Sequence, residues 1–146
     1  MITLNEITRD NQHDVIKLTV FDEQKGFVTH NMCSLAQAKA QPECVPLAVY
    51  NNSKLVGFLM YCVDFDDQEY WIYRLMIDKK HQKMGYGRAA MQCVLSLLKQ
   101  DAELDKVYIS FEPENVVAKK LYEELGFVAD GRVIDGEVVY CLYYKK

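Results

Sequence analysis

Between Arg74 and Arg88 the chain reads RLMIDKKHQKMGYGR, and this segment limits the possible folds more than any other. It closes a run rich in aromatic and β-branched residues, EYWIYRLMID over 69–78, which predicts a strand. A polar loop with two glycines follows, and then an amphipathic helix begins at once. Over 85–100, Tyr86, Ala89, Ala90, Cys93, Val94, Leu97 and Leu98 recur at helical spacing, so one stripe of this helix must face a core. Gln82, Gly85 and Gly87 form a Q-x-x-G-x-G pattern at the junction. Unpaired backbone N–H groups converge at such a helix start, and the helix dipole adds positive potential. Glycine lets an anion approach the backbone with no Cβ in the way, and Lys79, Lys80, Lys83 and Arg88 add charge. A diphosphate suits this place. Alone, the pattern also describes a tight strand-to-helix turn. It is neither a P-loop, since no Gly-Lys-Ser/Thr follows, nor a dinucleotide fingerprint, since Ala90 stands where the third glycine would fall.

The flanking elements are legible from pattern and punctuation. Residues 2–7 alternate as a strand. Asp10 is placed to cap a helix through about Gln24, with Val15, Leu18 and Phe21 on one side, and Ser34 to start a second helix that Pro42 stops. Residues 45–50 and 54–63 read as strands joined by Asn51, Asn52 and Ser53, and the acidic DFDDQ at 64–68 as a loop. Residues 106–111 form a short strand. Asn115 caps a helix that runs to Leu125 and ends at Gly126. Two last strands, 127–134 and 137–144, meet at Asp135-Gly136, a tight-turn dipeptide. Meandering strands followed by strand–helix alternation predict one α/β domain over 1–146, a mixed sheet with helices on both faces.

Composition narrows the function classes. A chain of 146 residues, 50% of them hydrophobic, can fill one core. The net charge of −4 disfavours nucleic acid as the main partner, because neutralising phosphates needs a basic face. The N-terminus MITLNEITRDNQH has no basic n-region or apolar h-region, and the longest apolar-leaning run, 89–98, is too short to span a bilayer. A cytoplasmic protein without a membrane partner is expected. The 5 cysteines are odd in number and lack CxxC spacing, which fits reduced thiols, and the 3 histidines show no metal-ligand spacing, so no metal is expected.

The glycine loop, a helix, a short strand and then N-x-x-A-x-x-L-Y-x-x-L-G-F (Asn115 to Phe127) together resemble the GCN5-related N-acetyltransferase (GNAT) superfamily. The resemblance covers the chain from about residue 45 onward, with matching element order before it. It implies that family's fold, a mostly antiparallel twisted sheet of six to seven strands with four helices, and acetyl-CoA as cosubstrate. Further implications follow residue by residue. Gln82, Lys83, Met84, Gly85, Tyr86, Gly87 and Arg88 would bind the pyrophosphate through backbone N–H groups. The strand Ile72 to Ile77 would hold the pantetheine arm, and backbone N–H groups near Leu75, Met76 and Ile77 would also polarise the thioester carbonyl, while the 107–111 strand would splay away to open a cleft. Asn115 would contact the cofactor arm, and Tyr122 would protonate the departing thiolate.

That chemistry is physically coherent. Amine attack on a thioester needs a neutral amine, a stabilised oxyanion and a protonated leaving group. A phenol is a suitable acid for a thiolate. The general base is open among Glu69, Asp78 and Glu112, with Glu112 favoured because it lies just past the cleft-flanking strand. The cysteines sit in no nucleophile elbow, which argues against an acyl-enzyme. In this superfamily acceptor specificity lies in the first two helices and the loops facing them. Here these supply Asp22, Glu23 and Tyr50, and the 64–70 loop adds four carboxylates, Glu69 among them. Carboxylates and aromatics suit a polycation. V-G-F-x-M-Y at 56–61 and R-L-M-I-D look like the bacterial spermine/spermidine and diamine acetyltransferases. The alternatives are another small amine, an aminoglycoside or a protein amine as acceptor, or an acetyl-CoA-binding sensor without turnover. The tyrosines of the C-terminal hairpin, Tyr140, Tyr143 and Tyr144, suggest a homodimer unless they pack on the chain's own core.

Overall fold

The computed structural model describes residues 1–144. Seven strands run β1 Ile2–Glu6, β2 Cys44–Asn51, β3 Lys54–Val63, β4 Tyr70–Ile77, β5 Lys106–Phe111, β6 Val128–Ile134 and β7 Glu137–Tyr143. Four α-helices accompany them, α1 Gln12–Lys17, α2 Asn31–Ala40, α3 Tyr86–Leu98 and α4 Val116–Glu124, with 3₁₀ turns at Asp22–Gln24 and Lys79–His81. The strands form one sheet in the order β1-β2-β3-β4-β5-β7-β6. Every neighbouring pair is antiparallel except β4 and β5. The mixed, mostly antiparallel sheet with four helices is the architecture expected.

Helices cover both faces. On one, Met91, Val94 and Leu98 of α3 and Tyr122 of α4 pack against Val49, Leu59, Ile72 and Ile109. On the other, Val15 of α1 and Leu35 of α2 meet Ala48, Phe58, Met60 and Met76. Complete burial of such side chains stabilises by roughly 1.5–3 kcal/mol each, so these two layers fix where the helices sit.

Two irregularities shape the middle of the sheet. In β3, Val49 pairs with Gly57 but Tyr50 with Leu55, so Val56 is an extra residue. In β4, Met60 pairs with Arg74 but Tyr61 with Ile72, so Tyr73 is extra. Each bulge swaps the face to which later side chains point. Tyr70 and Ile72 face the α3/α4 layer, and after the bulge Leu75 and Ile77 do so. Pairing of β4 with β5 is confined to Tyr70↔Val107, Trp71↔Tyr108 and Ile72↔Ile109. Beyond Ile72 the strands part, at the residue where β4 bulges. The closed end is held by Trp71 stacked on Tyr108, ring centroids 4.9 Å apart.

The N-terminal helices differ from expectation. The first is only six residues long and follows Asn11 instead of Asp10. It stops at Leu18 because the next backbone groups bond elsewhere: Thr19 N–H donates to Asp78 Oδ1 at 2.9 Å, and its carbonyl accepts from Lys79 N–H at 2.8 Å. Phe21, placed on a helix face by its spacing, is 41% exposed. The second helix begins at Asn31, not Ser34, capped by His30, whose Nδ1 accepts from Met32 N–H at 3.1 Å. All 5 cysteines are free thiols. Tyr140 and Tyr144 pack on the chain's own core, and Tyr143 is exposed.

Candidate active site

Gly85 ends the loop that begins at Gln82 in a left-handed conformation, φ 81°, and serves as N-cap of α3. With no side chain it cannot cap the first turn, so the N–H groups that open α3 stay available to an external anion. An added Cβ at Gly85 would meet nothing within 4 Å. Glycine is needed there for its φ, and the space above it is open. Gln82 pins the loop: its Nε2 donates to the Ile77 carbonyl at 3.0 Å and to Gln24 Oε1 at 2.9 Å, and Gln24 Nε2 returns a bond of 3.0 Å. Asp78 is buried and accepts from Thr19 and Lys80 N–H groups, so this carboxylate ties the 79–81 turn to the chain after α1.

Across from the loop, α4 starts at Asn115, whose Oδ1 accepts from Ala118 N–H at 3.2 Å. Arg88 of α3 and Glu124 of α4 form an ion pair across the mouth. Both are about 40% exposed, so the pair contributes at most about 1 kcal/mol. Between the helices lies a cleft of about 560 Å³. The end of β4 (Leu75, Met76, Ile77), the glycine loop and the first turns of α4 line it, with Tyr122 at its inner end. Tyr122 is buried between Phe111 and Phe127, with centroids 5.4 and 5.9 Å away. Burial raises its hydroxyl well above the usual phenol range, and the charge of Glu137 raises it further. The phenol therefore keeps its proton at neutral pH.

A second cavity, of about 490 Å³, opens on the α1/α2 side of the sheet. Four carboxylates line it: Asp64, Asp66, Asp135 and Glu137. So do Trp71 and Tyr73. Its cation is Arg74, whose guanidinium donates to neutral acceptors, Ser34 Oγ, the Tyr73 carbonyl and Gln37 Oε1. The Tyr73 hydroxyl donates to Asp64 Oδ2 at 2.5 Å, and this bond holds the Asp64 carboxyl below its ordinary range. The two cavities share Phe27, Val28 and Met76. They adjoin along Met76, on the part of β4 that lies beyond its last β5 pair, Ile72↔Ile109.

Most of the expected donor-site residues come together in the first cleft: Leu75, Met76, Ile77, Gln82, Lys83, Gly85, Tyr86, Gly87, Arg88, Asn115 and Tyr122. Met84 is 62% exposed and outside its lining. The expected acceptor residues are scattered. Glu23 lines the donor cleft, Asp22 is paired with Lys25 at 3.0 Å, and Tyr50 receives a bond from Asn11. Glu69 is paired with Lys106 at 3.3 Å, at the closed end of the β4/β5 junction. Glu112 lines neither cavity; its carbonyl accepts from Asn115 N–H. Sequence reasoning missed Trp71, Tyr73, Arg74, Ser110, Asp135 and Glu137, which reach the second cavity from three separate strands and a turn. The tight turn at Asp135-Gly136 was readable, but not what its tip faces.

Known proteins resemble this chain in sequence and in fold. The spermine/spermidine N(1)-acetyltransferase of Bacillus subtilis (strain 168) is 27% identical over 145 residues, covering 94% of this chain and 95% of that protein. Among solved structures, the spermidine N-acetyltransferase of Vibrio cholerae in complex with CoA and spermine superposes with a TM-score of 0.75 at 19% identity, covering 97% and 94% of the two chains. An aminoglycoside acetyltransferase in complex with coenzyme A gives 0.81 at 19% identity, covering 99% and 95%. The model of the acetyltransferase (GNAT) family matches residues 9–127, and the chain belongs to that family.

Proposed function

We propose that this protein transfers an acetyl group from acetyl-CoA to a primary amine of a polyamine such as spermine or spermidine, by direct attack in a ternary complex. The observation that carries the reading is the pair of cavities that adjoin at Phe27, Val28 and Met76, where β4 runs on past its last β5 pair. One offers a glycine-opened helix N-terminus to a diphosphate, and the other offers carboxylates and aromatic rings to a cation. The donor fits the residues present. Its diphosphate suits the first N–H groups of α3, and its extended arm suits the β4 backbone left without a β5 partner beyond Ile72. Tyr122 then holds a proton at the inner end of the cleft, where the sulfur would leave. Four carboxylates against one guanidinium make the other cavity attractive to an ammonium, with each close charge contributing from about 1 kcal/mol in water to about 4 at intermediate dielectric. The likeness over nearly the whole chain to a spermine/spermidine enzyme supports the same acceptor class.

The test is thiol release from acetyl-CoA with spermine, spermidine, short diamines, an aminoglycoside and a basic peptide as separate acceptors, each product identified by mass. Saturable turnover with polyamines alone is expected. Turnover with another acceptor keeps the transferase and removes the polyamine. Saturable CoA binding with no turnover on any acceptor favours a sensor.

A further inference from the structure

Acetyl transfer to a polyamine, on which this assignment rests, needs a group that takes the proton from the bound ammonium. Glu137 opens β7 just after the Asp135-Gly136 turn, whose residues both have positive φ, 51° and 83°. The register Phe111↔Val138 and Ser110↔Val139 puts Glu137 and Ser110 on one sheet face, opposite Phe111 and Tyr140. Ser110 Oγ donates to Glu137 Oε1 at 2.8 Å, which fixes the carboxylate's direction. Both residues line the acceptor cavity. Tyr122 approaches the same strand end from the other face, against Phe111, and is near enough for the Glu137 charge to raise its hydroxyl.

The other carboxylates are less suitable. Asp64 is held in its charged form by the Tyr73 hydroxyl and by N–H groups of Asp66 and Asp67. Asp66 and Asp135 lie exposed. Glu69, Asp78 and Glu112 are outside the cavity.

We propose that Glu137, oriented by Ser110, is the proton acceptor for the attacking amine. A bound ammonium, its charge disfavoured as it leaves water, gives one proton to Glu137. The freed nitrogen pair forms the N–C bond at the acetyl carbonyl carbon, and the C–S bond breaks with its electron pair on sulfur. Sulfur takes the Tyr122 proton. The second nitrogen proton replaces it, and Glu137 releases its own proton to solvent. The balance is one ammonium and one thioester to one amide, one thiol and one proton.

The experiment compares wild type, Glu137→Gln and Glu137→Asp with spermine across pH, together with calorimetric CoA titration. Gln keeps an acceptor for Ser110 but is no base. Its kcat is expected about a hundredfold low at pH 7. Its rate should then climb about tenfold per pH unit toward the alkylamine range near pH 10, as solution supplies neutral amine. Wild type and the Asp variant should share a flatter profile, and CoA affinity should be equal in all three. The role is overturned by a Gln variant within twofold of wild type, by a loss that is the same at every pH, by a change in KM alone, or by an Asp variant that follows the Gln profile. No turnover by wild type with any amine would instead remove the acetyl transfer itself.

Discussion

Tyr122 is a phenol held where water is scarce. Its ring is fixed by Phe111 and Phe127, so its hydroxyl can be removed without disturbing the packing. A Tyr122→Phe variant is expected to lose about a hundredfold or more in kcat with spermine while binding CoA as wild type does. Steady-state rates beside a CoA titration check this, and unchanged turnover would remove Tyr122 from the proton path. Single residues were readable where chemistry is local. Asn115 was recognisable as a cap, Gly85 as the hinge into α3, and Asp135-Gly136 as a turn, because each acts within three or four residues of itself. Asn31 and Ser34 were not readable in this way. They are buried polar residues, satisfied by the Val15 carbonyl 16 positions away and by Arg74 40 positions away.

At the scale of elements, β3 and β4 approach each other closely at Gly57, beside the cleft. A Cβ added at Gly57 would meet the Met76 carbonyl oxygen at 2.5 Å and Ile77 Cδ1 at 2.8 Å. The first is backbone and cannot swing aside. Gly57→Ala should push β3 away from the end of β4, costing about 1–3 kcal/mol and weakening CoA binding. A lower urea midpoint at constant slope would show it, and wild-type stability would refute the close approach. The same region shows how far sequence pattern carries. Tyr70 and Ile72 share one parity, and Leu75 and Ile77 the other. That change of step marks the bulge at Tyr73, but a run apolar on both faces hides it. Helix α1 was overextended for a related reason. The helical spacing of Val15, Leu18 and Phe21 is real, but the bonds of Thr19 to Asp78 and Lys79 outcompete the next helical turn.

The whole molecule should lose stability in alkali. Burial pushes the Tyr144 hydroxyl up to about 12, and it donates to the Leu95 carbonyl at 3.2 Å. The Asp101 carboxylate, which accepts its bond at 2.7 Å, pushes Tyr70 up to about 12. Both ionise near 10 in an unfolded chain. Below that pH the contribution is complete. Between pH 10 and 12 the unfolded chain releases protons that the folded one retains, so stability falls as pH rises. Urea midpoints followed from pH 8 to 11 should decline, less steeply in Tyr144→Phe, and a flat profile would contradict the burial of these phenols.

The parting of β4 from β5 also separates two kinds of inheritance. The donor wall is built from the end of β4, the glycine loop and two helix starts, elements that the core fixes. The other cavity takes Trp71, Tyr73 and Arg74 from β4 and Ser110 from β5, but Asp64 and Asp66 of the 64–66 loop and Asp135 of the hairpin tip, segments that carry little of the core, also line it. On the proposed function, substitutions in those two segments are expected to change which amine is admitted while CoA binding stays intact. On that reading, one scaffold is retuned from one acceptor to another by editing segments that do not line the cleft proposed for the donor.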